Sequence, residues 1–503
     1  MRREKDGDVA LDGRSGGRLR DRLLFRVFSA GLVFFLFPGV VPLRAENVAP
    51  IRNNGPSSNR IDMVVLGDGY TSSEMTKFAN DAEAFIVGFL SQEPFREYDR
   101  YFNVFRVDVV SAESGADHPA RGVYKNTALD AAYDCSGITR LICVNTTKVN
   151  DVLNRSLPAS QRELVLVLVN DPEYGGSGGA VAVSSTHGSG VEIVLHEIGH
   201  SFGLLADEYD SSPPACNNTV EPSAANVTRQ TNRNSIKWNP GGGPPSGWIE
   251  PSTPVPTTGV VAGVGLFEGA QYCLTGLFRP TANSKMRSLS RPFDPVNVEQ
   301  LIKRIYNFAM PVDDWSPAET TFKIAKGGVV SFAASVMQPR THGISFAWYV
   351  DGALAGQSGR LEVDTAGMSA GRHTVEARGK DPSSDVRYDL AKVLEGAMLW
   401  TVDVLTPIYA PLDFTGRKIL NRNVLKGEYI NVLTWRANPQ NQRLGGYNLY
   451  TNEGGTLKLL ASLGVDVFEY RHRGVGRDSA FTYVLSAFNP EGIEGAPAAV
   501  TVR

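Results

Sequence analysis

The stretch "VEIVLHEIGHSFGLLADEYD", residues 191–210, decides how the chain is read. On a helix turning about 100° per residue, Val191, Val194, Leu195, Ile198 and Phe202 share one arc, a stripe that faces a core. His196 and His200, two of only seven histidines in the chain, lie one turn apart on another side. Imidazoles so spaced can bind one ion at about 2 Å from each nitrogen. Glu197 sits between the two zones and reaches a metal-activated water without ligating the metal, which is the mechanical content of His-Glu-x-x-His. The ordinary alternative is a solvated helix face with two polar residues. Three features favour the metal. The helix is amphipathic with the histidines off its apolar stripe. Gly203 follows where the chain must turn and a positive φ comes easiest to glycine. Beyond the turn stand two carboxylates, Asp207 and Glu208.

The chain has 503 residues, enough for three or four domains. Hydrophobic residues make up 42% and charged residues 20%, an ordinary globular balance. A net charge of −3 gives no reason to expect nucleic acid or an anionic membrane as partner. Residues 1–45 differ from the rest: an arginine-rich leader precedes an apolar core at 27–37, about eleven residues long, the length of a secretion signal's core and short for a membrane span. Export is therefore expected, to a secreted, periplasmic or cell-surface location, with no stable membrane span once the signal is removed. In an exported chain the four cysteines are expected to pair. Three pairings are possible; proximity and order favour Cys135–Cys143 and Cys216–Cys273.

Along the chain, apolar runs at 61–66 and 163–171 read as buried strands, 101–112 as another, and 73–90 as a helix. This alternation predicts an α/β layer structure over 46–315. A glycine-rich loop and short strand, "GGSGGAVAVSS" (175–185), precede the histidine helix and offer an edge strand for an extended peptide. Residues 210–262 read as a long irregular excursion, and 295–309 as an amphipathic helix. From 316 the texture becomes short alternating strands, the rhythm of a β-sandwich. A proline-bearing joint near 406 leads to a second set.

The segment "HEIGHSFGLLADEY" resembles the IgA peptidase family, secreted zinc metalloendopeptidases (metallopeptidase family sixty-four) that look like relatives of the metzincins. "VVLGDGYT" (64–71) and "GLFEGAQYCLTGLFRPTANSKMRSL" (265–289) are similar to other parts of that family. The metzincin pattern places its third ligand at 206, where this chain has Ala206. The resemblance therefore implies Asp207 as third ligand beside His196 and His200, with Glu208 as the competing assignment. It implies Glu197 as the catalytic base and Met286 as the Met-turn, an apolar floor beneath the metal. The tail strands, with Trp435 and "YVLSAFNPEG", look like a fibronectin type III module at 406–503, preceded by an Ig-like sandwich at 316–405.

The implied function is hydrolysis of peptide bonds in a protein or peptide substrate, with one catalytic zinc ion acidifying a water and Glu197 accepting its proton. Tyr209, Arg279 and Arg287 are candidates for stabilising the negative oxygen. Calcium finds no support beyond Asp68, a turn aspartate whose common role is to cap its own backbone. The competing reading is a surface-binding protein whose β modules contact extracellular glycan or protein and whose front domain is an inactive protease-like relic. The intact set of His196, Glu197 and His200 argues against it.

Overall fold

The computed structural model describes residues 46–503 except 211–215, 260 and 423–426. The expected signal at 1–45 lies outside the described residues. Among the described residues no helix is long and apolar enough to cross a membrane.

The front of the chain is built on a six-stranded sheet of Asn47–Arg52 (β1), Ile61–Asp68 (β2), Phe102–Asp108 (β3), Leu164–Val169 (β4), Gly176–Ser177 (β5) and Ala182–Ser185 (β6). The spatial order is β1-β3-β2-β4-β6-β5. The four inner strands are parallel, and β1 and β5 run antiparallel at the edges. The central strands β2 and β4 are mostly apolar because both faces are covered, as parallel sheets require. Side chains alternate between two cores. Ile61, Met63 and Val65 of β2 and Leu164, Leu166 and Leu168 of β4 face helices Met75–Phe89 (α1), Gly190–Ser201 (α3) and Pro295–Tyr306 (α4). Val64, Leu66, Val167 and Val169 face the opposite side, where Thr146–Ser156 (α2) inserts Val149, Val152 and Leu153.

Asp68 ends β2 fully buried and accepts bonds from the Leu129 and Ala131 amides, the Thr127 hydroxyl and the Ser111 hydroxyl. It organises the loops at 111–131 rather than capping its own turn.

The excursion at 210–262 packs Ile236, Trp238 and Ile249 against Leu266, Phe278 and Val296. It thereby covers a hairpin of Phe267–Ala270 (β7) and Cys273–Arg279 (β8). Disulfides join Cys135 to Cys143 and Cys216 to Cys273, with Cα atoms 5.8 and 4.8 Å apart.

Two β-sandwiches follow. In the first, a five-stranded and a three-stranded sheet enclose Trp348, Trp400, Phe332 and Val402; its opening strand is Val312–Ser316. In the second, a three-stranded and a four-stranded sheet enclose Trp435, Tyr447, Tyr483 and Leu485. The first sandwich is fused to the front: Met337 and Leu394 belong to the same apolar core as α1, α3 and α4. Asp381, 2% exposed, accepts hydrogen bonds of 2.7 Å each from the Tyr98 and Tyr306 hydroxyls and the His342 imidazole. The Arg387 guanidinium, from the loop that follows Asp381, stacks 4.1 Å from the centre of the Trp248 indole.

Candidate metal centre

The apolar stripe of α3 (Val194, Leu195, Ile198, then Phe202) sinks into the core and fixes the helix's rotation. That rotation turns His196, Glu197 and His200 away from the core. After α3 the chain reverses through Leu204, whose φ is +56°. The expected left-handed glycine, Gly203, is not the left-handed residue. It is glycine for closeness: a Cβ there would lie 2.6 Å from the Gly199 carbonyl oxygen and 2.8 Å from Leu301 of α4. The reversal brings the Leu205 carbonyl back to His200 and sets Asp207 beside both imidazoles.

Each histidine has a defined tautomer. His196 Nδ1 lies 2.9 Å from the Lys285 carbonyl oxygen and His200 Nδ1 lies 2.8 Å from that of Leu205. A carbonyl can only accept, so both Nδ1 atoms carry hydrogen and both Nε2 atoms present bare lone pairs. Those two Nε2 atoms are 3.1 Å apart. Asp207 Oδ1 lies 3.2 Å from the first and 3.1 Å from the second. With both imidazoles neutral, three acceptors thus converge with no donor between them. A tetrahedral zinc site with bonds of about 2.0–2.1 Å has ligand edges of about 3.3 Å, so the triangle has the dimensions of three zinc ligands. Among the described residues, His196, His200 and Asp207 are the one cluster of histidine, cysteine or carboxylate side chains so arranged. Burial works against the Asp207 charge, but imidazoles that are protonated instead of neutral outweigh it by hydrogen bonds and charge and hold its carboxyl well below the usual range. Burial lowers His200, and Asp207 more than reverses this.

Met286 is fully buried, and its sulfur would lie 2.5 Å from a Cβ on Gly199. It therefore sits directly beneath the helix turn that joins the two histidines, and the glycine inside the motif makes room for it. Lys285 donates to Glu192 of α3 in a largely buried ion pair at 2.6 Å, which pins the carbonyl that orients His196.

Glu208 does not join the cluster. It is fully buried and faces away, accepting from Asn226 and Asn297 on one oxygen and from Ser284 on the other. Its amide donates to the Met286 carbonyl, so it fastens the segment of Asp207 to the segment carrying Met286. Arg279 and Arg287 are also spent elsewhere. Arg279 is buried and donates to the carbonyls of Glu268, Gly269 and Thr281, bracing the β7–β8 hairpin. Arg287 pairs with Asp210. Tyr209 stacks beside His196, and its hydroxyl bonds to that of Tyr272 at 2.7 Å.

Two residues at the site carry no signal in the sequence. A Cβ on Gly178 would lie 1.8 Å from a Glu197 carboxylate oxygen, so this glycine makes the space in which Glu197 stands. Tyr272, at the tip of the β7–β8 hairpin, donates to Asp207 Oδ2 at 3.2 Å. Burial raises both phenols, Tyr209 and Tyr272, and keeps them protonated. Among the described residues no donor is hydrogen-bonded to the Glu197 carboxylate.

The expected edge strand is partly occupied. Gly176 of β5 bonds outward to residues 140 and 142, the segment tied by the Cys135–Cys143 disulfide. The exposed run begins at Gly178, beside Glu197, and continues through Gly179 and Ala180.

None of the curated proteins compared with the chain matches it. Among solved structures, the fibronectin(III)-like modules of Clostridium thermocellum CbhA are 12% identical over 38% of this chain and 92% of that one, with a TM-score of 0.23. An Fn3-like protein from Clostridium thermocellum is 23% identical over 20% of this chain and 93% of that one, with a TM-score of 0.15. At such scores the likenesses carry no argument, and the two sandwiches are described from their own sheets and cores. The family model described as IgA Peptidase M64 matches residues 49–262, a span that includes the whole of α3 and the segment of Asp207 after it. Residues 49–262, less than half of the chain, are thus similar to the IgA Peptidase M64 family.

Proposed function

We propose that the chain is an exported zinc-dependent endopeptidase with a metzincin-like catalytic domain, in which His196, His200 and Asp207 hold one zinc ion and Glu197 is the general base. The observation that carries this reading is the convergence of three acceptor atoms whose tautomers leave no proton between them. A zinc ion bound there supplies Lewis acidity, which polarises a peptide carbonyl and lowers the pKa of water. Glu197 takes the proton of the attacking water and returns it to the leaving amine. Its carboxylate is free of donors and stands against Gly178, where an extended substrate can lie along the exposed 178–180 backbone. Met286 and the Lys285–Glu192 pair hold the histidines in place. Two disulfides, with no free cysteine among the described residues, support an oxidising compartment.

The test is zinc per chain in purified wild type, Glu197→Gln and Asp207→Ala, with cleavage of unfolded casein followed with and without chelator. One zinc per wild-type chain is expected. Glu197→Gln keeps the zinc and loses about 10²- to 10⁴-fold in rate, and Asp207→Ala loses the zinc. No zinc in wild type after supplementation, or full activity in Glu197→Gln, overturns the reading and leaves a binding protein with a protease-like front domain.

A further inference from the structure

The tip of the β7–β8 hairpin has a backbone that its sequence does not invite. Ala270 pairs with Cys273, and the two residues between them, Gln271 and Tyr272, have φ values of +47° and +65°. Left-handed residues at both central positions of a two-residue turn usually call for Asn-Gly or Gly-Gly. Such strain persists only where the surroundings over-determine it, and here they do. The Gln271 amide donates to the Asp207 carbonyl at 3.0 Å and the Tyr272 amide to the Tyr209 carbonyl at 3.1 Å. The Cys216–Cys273 disulfide begins at the next residue, and Arg279 ties the base of the hairpin. The product of all this is the placement of one hydroxyl. Tyr272 donates its single hydrogen to Asp207 Oδ2, so at the 2.7 Å contact between the phenols Tyr209 is the donor.

We infer that Tyr272 is a positioning residue that keeps Asp207 a one-oxygen ligand. The inference rests on the metal reading of His196, His200 and Asp207. Oδ1 faces the two imidazoles; Oδ2 is held back by the phenol, and Tyr209 orients that phenol from behind. Without the phenol, Oδ2 would be free to turn toward a bound ion, and a carboxylate binding through both oxygens would compete with substrate and water. The hairpin therefore determines how many coordination positions stay open, although it supplies no ligand. Partners of metal-binding groups tune affinity as well as geometry, typically by about 10- to 100-fold when removed.

The experiment uses the full chain loaded with cobalt(II) in place of zinc and compares wild type, Tyr272→Phe and Tyr209→Phe. Phenylalanine keeps both rings and removes only the hydroxyls. Expected for Tyr272→Phe are a weaker visible d–d band, as when a tetrahedral cobalt site gains a fifth ligand, and an affinity for zinc lowered by about tenfold. The rate falls through kcat with KM little changed. Tyr209→Phe is expected to move the same band by less. A Tyr272→Phe spectrum and zinc affinity equal to wild type overturn the inference, and do so even if kcat falls, since the hydroxyl would then act on substrate. A wild type that takes up no cobalt overturns the metal reading itself, and this inference with it.

Discussion

The sandwich that starts at Val312 shares its core with the helix that carries the histidines, whereas the second sandwich, from Ile408 onward, is packed on itself. Both show the same strand rhythm, and both bury tryptophan between two sheets. They differ in what their loops do. In the first, residues 337–342 and 381–394 reach forward: Met337 and Leu394 enter the core packed against α1, α3 and α4, Asp381 gathers Tyr98, Tyr306 and His342, and Arg340 pairs with Asp99. Tyr306 belongs to α4, and α4 grips the end of α3 through Gln300 and Arg304, which donate to the carbonyls of Gly203 and Phe202. One chain of contacts thus runs from a sandwich loop to the turn after His200. The second sandwich is held by bonds of its own, such as those from Asn431 and His472 to the Tyr483 hydroxyl. Strand pattern identifies a module; its loops decide whether that module is an appendage or part of the active domain.

The largest test of this contrast is truncation. Ending the chain after residue 405 is expected to leave zinc uptake and a cooperative thermal transition in place. Ending it after 311 strips Met337 and Leu394 from the core and leaves the Tyr98 hydroxyl without its acceptor, and calorimetry is expected to find no cooperative unfolding. A 46–311 fragment that unfolds cooperatively and binds zinc would end the comparison.

Next in size is Asp381→Ala, which leaves the buried Tyr98 and Tyr306 hydroxyls, the part-buried His342 and the Ser383 amide without their acceptor and is expected to cost about 3–5 kcal/mol, read from urea titration. The matching deletion in the second sandwich, Asn431→Ala, removes one bond and is expected to cost about 1 kcal/mol, with peptidase activity untouched. Equal costs, or equal loss of activity, would erase the distinction between the two modules.

Gly178→Ala should give the opposite signature to Asp381→Ala. The new Cβ displaces the Glu197 carboxylate, and a displacement of about 1 Å costs about 10²-fold in rate. Zinc content and melting temperature are expected to stay as in wild type. A fall in stability with the rate intact would show that the glycine serves packing instead.

A smaller effect concerns pH. Burial first, and then the charge of Asp294, raises the Glu208 carboxyl above its ordinary value. The folded chain then holds a proton that the unfolded chain has released, so stability falls as pH rises from the usual carboxylate range toward the raised value. In Glu208→Gln the side-chain oxygen still accepts from Asn226 and Asn297, and the amide donates to Ser284. Its stability is expected to depend less on pH over that window, and parallel urea midpoints for the two proteins would refute this account.

The smallest effect lies in the first sandwich, away from the joint. The Asp351 bond, then the Ser369 carbonyl, raises His373. A raised histidine contributes stability below its unfolded pKa and loses it as pH rises through the folded value. Asp351 is half exposed, so His373→Gln is expected to remove less than about 1 kcal/mol of acid-side stability. Its activity profile should match wild type; a shifted profile would extend the catalytic unit further into the sandwich than its loops suggest.

The histidine helix, the buried strands β2 and β4 and the two sandwich textures were legible because each rests on a local period of apolar residues. What the sequence hid depends on distant partners. In α2, "TTKVNDVLNRS", only three residues are buried, too few to stand out among polar neighbours. The β7–β8 hairpin turns on Gln-Tyr, which gives no turn signal, so Tyr272 escaped notice. Arg279 and Arg287 looked available because they lie near the motif segments; the structure spends them on carbonyls and on Asp210. Gly203 looked like the left-handed residue because glycine usually is, while packing against Leu301 gave that glycine another task and left the turn to Leu204. Gly178 has meaning only once Glu197 is placed beside it.

The sequence spacing of the site also bears on the order in which it forms. His196 and Asp207 are 11 residues apart. The carbonyl that orients His196 lies 89 residues away, and the phenol on Asp207 lies 65. Closing the longest of these loops costs about 2 kcal/mol more chain entropy than closing the shortest. His196, His200 and Asp207 can therefore meet on a short, newly made segment, before the parts that orient them arrive. On the metal reading proposed above, capture of the ion is expected to be an early event of maturation and catalytic competence a late one, with a metal-loaded but inactive chain in between.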